Sequence, residues 1–223
     1  MSKLVRGALA APIVAATVLG TVVAQADVAA ASTVVALWHM NETSGTTMVD
    51  SSGHHNNGAL HNVTLGGGGF SGKAYSFNGT SSYVSVPGSA SLNPGSANIS
   101  ISFYLSTTSL PKSGDYDLVR KGAYPAQNYK VELLPSGQIM CTFQGSSSRH
   151  NATGGSGLNN GAWHHIQCIK TASQIQTVID GTVRATTNAT VGSISNTSAA
   201  YLGAHPGSDW YKGKLDEVSI TIG

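Results

Sequence analysis

From about residue 33 onward, apolar residues do not recur with a helical period. They alternate with polar ones over short runs, as in "SISFYL" and "KVELL", the pattern of strands with one face in a core. About twelve such runs can be read: "TVVALWHM", "AYSFNG", "SYVSVPG", "ISISFYLST", "DLVRKG", "YKVELLP", "QIMCTF", "HHIQCIK", "QIQTVID", "TVRATTN", "AAYLGA" and "LDEVSITIG". Turn formers separate them, among them "GGGG", "PGSAN", "PSG", "GGSGLNNG" and "HPGSD". Pro135-Ser136-Gly137 predicts one hairpin. Asp180-Gly181 predicts another, because Asp-Gly suits a two-residue turn. No repeat, heptad or linker interrupts residues 33–223. The pattern predicts an all-β domain over 34–223, an antiparallel two-sheet β-sandwich of jelly-roll type.

The first 26 residues break this pattern. Lys3 and Arg6 precede an apolar run from Ala8 to Ala24, and Ala24-Gln25-Ala26 forms a small-x-small cleavage site. The run is broken by Pro12 and falls short of the roughly 20 residues a span requires. Residues 1–26 are therefore expected to be a signal peptide and 27–33 a short linker, which makes the mature chain secreted. The two basic residues of the signal account for the net charge of +2, so the mature chain is near neutral. Near-neutrality argues against a nucleic-acid or anionic-membrane partner. An even cysteine count in an exported chain favours a Cys141–Cys168 disulfide over two buried thiols. Seven Asn-x-Ser/Thr sequons begin at Asn41, Asn62, Asn78, Asn98, Asn151, Asn188 and Asn196. They matter only in a glycosylating host, and the Ala-rich signal looks bacterial.

Four stretches in order make the chain resemble the laminin-G-like, concanavalin A-like lectin/glucanase superfamily, in its secreted bacterial form. They are "ALWHMNETSGTTMVDSSGHHNNGAL", "AYSFNGTSSYVSVP", "WHHIQCIKTASQIQTVIDGTVRA" and "YKGKLDEVSI". The resemblance runs from about Val34 to Gly223. It is specific for fold and much less so for function. It implies a non-catalytic binding module, with carbohydrate as the expected ligand. It also implies that calcium can sit near the ends of the first and last strands, with Glu42, Asp50, Asn57 and Asp216 as available oxygen ligands.

The remaining chemistry is read from residue types. In "DSSGHHNNG", Asp50 suits an Asx-turn, while Gly53 and Gly58 permit unusual backbone angles. Adjacent His54 and His55 point apart in an extended loop, so they are expected in solvent and not on a shared metal. Glycoside hydrolysis normally needs paired carboxylates. Glu132 stands alone in its strand, and Asp115 and Asp117 alternate beside Gly114 without a third acid nearby in sequence, so no catalytic set is expected. For glycan binding, the aromatics least committed to alternating strands are Tyr116, Tyr124 and Trp210. Arg120, Gln127 and Asn128 lie close enough in sequence to reach hydroxyls. Two rivals stand beside the lectin reading. One is an adhesion or structural protein that contacts another protein or the cell wall. The other is a polysaccharide-cleaving enzyme, which requires clustered Asp and Glu with perturbed pKa values in a groove.

Overall fold

The structure is a computed structural model that describes residues 31–223. The signal-peptide expectation lies outside the described residues, as does most of the linker. Among the described residues no helix is long and apolar enough to cross a membrane.

Two eight-stranded antiparallel sheets face each other. The first runs β14 (Thr182–Asn188), β13 (Gln174–Ile179), β12 (His164–Lys170), β7 (Ile99–Ser106), β16 (Lys212–Ile222), β5 (Lys73–Asn78) and β4 (Thr64–Gly68), with β1 (Thr33–Trp38) also on β16. The second runs β11 (Arg149–Gly154), β10 (Ile139–Gln144), β9 (Asn128–Leu133), β8 (Tyr116–Lys121), β15 (Ala200–Leu202), β6 (Tyr83–Val86), β3 (Gly58–His61) and β2 (Thr47–Met48). The expected all-β sandwich is what the chain forms.

Alternation accounts for the core. Ile99, Ile101, Phe103 and Leu105 of β7 are buried, and the serines and tyrosine between them are not. From the opposite sheet, Val131, Leu133, Ile139, Cys141 and Phe143 join the same cluster. Each such side chain contributes about 1.5–3 kcal/mol by leaving water. Trp38 is fully buried, and its indole N–H donates to the Asn56 carbonyl at 2.8 Å. Cys141 and Cys168 are disulfide-bonded with their Cα atoms 5.5 Å apart, which ties β10 of one sheet to β12 of the other.

Both hairpins form. The amide of Leu134 donates to the Gln138 carbonyl at 2.9 Å across the Pro-Ser-Gly turn. Asp180 and Gly181 both take positive φ (51° and 73°), as a type I′ turn requires. The closing strand is less regular than its sequence suggests. Its Lys212–Leu215 half pairs with β5 and its Val218–Ile222 half with β1. A bulge separates the halves, with Glu217 at φ 50°. The bulge buries Asp216 completely and turns Glu217 outward to His39 at 2.7 Å.

The opening loop resolves into hydrogen bonds. Asp50 is 6% exposed. Its Oδ1 accepts from the amides of Leu37 and Ser52, and its Oδ2 from the Ser52 hydroxyl and the Asn56 amide. His54 and His55 are exposed, as expected. Gly53 needs its freedom at φ 88°. Gly58 is needed for a different reason than the one expected. Its backbone angle is ordinary, but a Cβ there would lie 2.5 Å from Val84 Cγ1.

Candidate functional site

Register sets which side chains share the outer face of the second sheet. Val84, Val119, Leu202 and Val131 point into the core. Their neighbours therefore point out: Tyr83 and Ser85 on β6, Tyr201 on β15, Arg120 on β8, Lys130 and Glu132 on β9. Tyr201 sits opposite Ser85 on one side and Arg120 on the other. Arg120 in turn faces Lys130. Two depressions adjoin on this face. One, of about 430 Å³, is lined by Thr47, Asn57, Ala59, Ser85 and Tyr201 among others. The second, of about 320 Å³, is lined by Arg120, Ala123, Ser198, Tyr201 and His205 among others. Tyr201 and Ala199 line both. An aromatic group borders them. His61 stacks on Tyr83 at 4.1 Å between ring centres, and Tyr83 meets Tyr201 at 6.2 Å and Trp210 at 5.8 Å.

Beside this face lies a cluster of acids that sequence reading missed. The Asp117 amide donates to the Asp209 carbonyl at 3.0 Å, which fastens the 205–209 turn over the start of β8. Ligand atoms of Asp117, His205 and Asp209 all lie within 4.8 Å of one another, and so do those of Asp115, Asp117 and Glu132. Arg120 pairs with Asp117, and Lys130 with Glu132. Burial drives the Asp117 carboxyl up to about 6, against the pull of Arg120 and with a push from Asp115. Burial also raises Asp115, although Lys130 opposes it. The sequence signal was the Asp115-x-Asp117 alternation. Its partners come from β9 and from a turn some 90 residues later, which no local pattern reveals.

The sequence-predicted ligand residues do not converge as a set, although Tyr116 and Trp210 line one depression together. Tyr116 opens β8 and Tyr124 lies beyond its far end, and the six residues of the strand extend about 17 Å at the usual rise. Tyr116 packs edge-on against Tyr211 and donates to the Leu110 carbonyl at 3.3 Å. Tyr124 is 71% exposed, with the Arg149 guanidinium 5.8 Å from its ring centre. Gln127 and Asn128 are engaged by backbone, one of a distant loop and the other of its own. The Gln127 side chain accepts from the Ser195 amide at 2.7 Å, and Asn128, 2% exposed, donates to the Ala126 carbonyl at 2.7 Å. Arg120 lines the second depression, while its Nε donates to the Gly122 carbonyl. Trp210 lines a separate depression of about 320 Å³ with Asp115, Tyr116 and Asp209.

The four expected calcium ligands are also dispersed into backbone-capping roles. Glu42 accepts from the Val49 amide and the Tyr75 hydroxyl, and Asn57 from the Asp50 amide. Asp216 accepts from the amides of Ser71 and Glu217. Asp50 already holds four donors, the full capacity of a carboxylate. None of these three carboxylates belongs to a cluster of three candidate ligands among the described residues.

Residues 78–221 match a laminin G-type family model of the concanavalin A-like lectin/glucanases superfamily. Among curated proteins, none matches the sequence at a significant level. Solved structures share the fold. The binding domain of Paraclostridial Mosquitocidal Protein 1 superposes with a TM-score of 0.66 at 16% identity, over 84% of this chain and 48% of that one. Domain 4 of AbnA, a GH43 extracellular arabinanase from Geobacillus stearothermophilus solved with arabinotriose, gives 0.65 at 20% identity, over 86% and 93%. Mouse laminin α1 domains LG4-5 give 0.53 at 16% identity, over 66% and 40%. The chain thus spans about half of the mosquitocidal binding domain and nearly all of the arabinanase domain.

Proposed function

The chain belongs to the laminin G-type family of the concanavalin A-like lectin/glucanases superfamily, and from that premise we propose that it is a secreted, non-catalytic module that binds glycans on the outer face of its second sheet. The observation that carries this reading is the pair of adjoining depressions sharing Tyr201. A tyrosine ring between two hollows can stack on the apolar face of a sugar. Thr47, Asn57 and Ser85 on one side, and Arg120 and Ser198 on the other, supply hydroxyl, amide and guanidinium groups for sugar hydroxyls. Fold relatives with glycans bound support the ligand class. The arabinanase domain was solved with arabinotriose, and a botulinum neurotoxin binding domain with SialylT.

The acid cluster favours a second reading, a polysaccharide-cleaving enzyme. Two features weigh against it. Glu132 is 0% and Asp117 1% exposed, and each is paired to a base. Carboxylates that act on a glycosidic bond must flank it, and these two face protein.

The test is retention of residues 27–223 on a panel of arabinans, sialylated glycans and cell-wall polysaccharides, with release of reducing ends followed in parallel. Selective retention is expected to weaken tenfold or more in Tyr201→Ala and to persist in Tyr124→Ala. Cleavage of any glycan would instead favour the enzyme. A folded protein that no glycan retains, or retention indifferent to Tyr201, would sink the reading.

A further inference from the structure

The geometry points to a divalent-cation site formed by Asp117, Asp209 and His205, with Asp115 beside them, at the junction between β8 and the 205–209 turn. It is separate from the oxygen ligands expected near the first and last strands.

Three observations carry it. The first is spacing. Ligand atoms of Asp117, Asp209 and His205 lie within 4.8 Å of one another. Oxygens around calcium stand about 2.3–2.6 Å from the ion, so two ligands on opposite sides of it are about 5 Å apart. The second is an unmet bonding need. Asp117 is 1% exposed and gives one oxygen to Arg120, while its Oδ1 is buried with no hydrogen-bond partner. Asp115 Oδ1 is buried and unpartnered as well. Buried polar atoms are nearly always satisfied, so two neighbouring orphan carboxylate oxygens call for a partner. A cation is the partner that serves several carboxylates at once. The third is charge. Arg120 and Lys130 pair with Asp117 and Glu132, and among the described residues neither Asp115 nor Asp209 forms an ion pair. These two unpaired carboxylates carry two formal negative charges, which one divalent ion balances.

Glu132 is not among the ligands, because its oxygens are taken by Lys130 and by the Thr142 hydroxyl at 3.4 Å. Access comes through the depression lined by Asp115, Asp209 and Trp210. His205 also lines the depression next to Tyr201, so the ion would brace one wall of the proposed glycan face. The site does not depend on that reading, since the cation is measured with no glycan present. Carboxylates suit calcium and manganese, and an imidazole suits zinc. All three are therefore used as probes.

The experiment strips the protein with a chelator and titrates it by calorimetry with calcium, manganese or zinc chloride alone. Thermal unfolding is followed in parallel, with circular dichroism to verify folding. One ion per chain is expected to bind, and the thermal midpoint to rise by about 5–10 °C at a hundredfold excess over Kd. Both Asp117→Asn and Asp209→Asn are expected to abolish binding and the shift. Asp209 lies on a half-buried turn, so its variant keeps the test open should the Asp117 variant fold poorly. No saturable binding of any of the three ions, or binding that survives in a folded Asp209→Asn variant, would overturn the assignment.

Discussion

Replacing Cys141 and Cys168 together by alanine is expected to lower the unfolding free energy by about 3–4 kcal/mol, the loop-entropy value for a bridge whose ends are separated by 27 residues. The bond joins β10 to β12, which belong to different sheets. It therefore confines the unfolded chain and holds the two layers of the sandwich together. Both sulfurs lie in the apolar core, and alanine leaves no new polar atom there to be satisfied. The change is read as a lower urea midpoint with a steeper slope, because the unfolded chain without the bond exposes more surface, and as a thermal midpoint lower by about 10 °C. The same loss should appear in the wild-type protein under a reductant that reaches the core, and the double variant should be insensitive to that reductant. A difference below about 1 kcal/mol would mean that the reduced chain keeps the same confinement without the bond.

Asp50→Asn is expected to destabilise the protein by about 2–4 kcal/mol at neutral pH. The carboxylate accepts four hydrogen bonds from Leu37, Ser52 and Asn56, and so closes the loop between β2 and β3 and ties it to β1. An amide of the same shape can accept on one side only, and it turns two donors toward the donors that remain. The pH dependence has a definite sign. Burial by itself would raise the Asp50 carboxyl, but the bonds from Leu37, Ser52 and Asn56 outweigh it and hold the group below the usual carboxylate range. A carboxyl lowered by folding contributes stability that is complete above its unfolded value, near pH 4. That contribution is lost as pH falls through the folded value. The gap between wild type and Asp50→Asn should therefore be widest at pH 7 and close toward about pH 2, because the wild type loses what the variant never had. A gap that stayed constant with pH would show that the loss comes from packing and not from the charge.

These expectations draw on two kinds of information. Alternation in "ISISFYL" and "YKVELL" determined strands and their inward faces, because a side-chain period of two is a local property of extended backbone. Pro-Ser-Gly and Asp-Gly determined two hairpins for the same reason, since a turn depends on the backbone angles of a few neighbouring residues. The family motifs determined the sandwich, and "DSSG" the Asx-type use of Asp50.

What lay beyond the sequence was everything fixed by pairing between distant strands. Glu132 reads as a lone acid until β9 is set beside β8, which places it opposite Asp117. Asp209 and His205 join them only because the turn before β16 folds back over β8. The aromatic positions show a different limit. Tyr116, Tyr124 and Trp210 stood out because they lie away from clean alternation, yet the face with the depressions is lined by Tyr201, which sits in it. Alternation shows that such a residue points outward. Whether its neighbours there form a ridge, a hollow or a charge cluster depends on register and on which strand lies next to it. Both are set by contacts across the whole chain, and only the tertiary structure decides them.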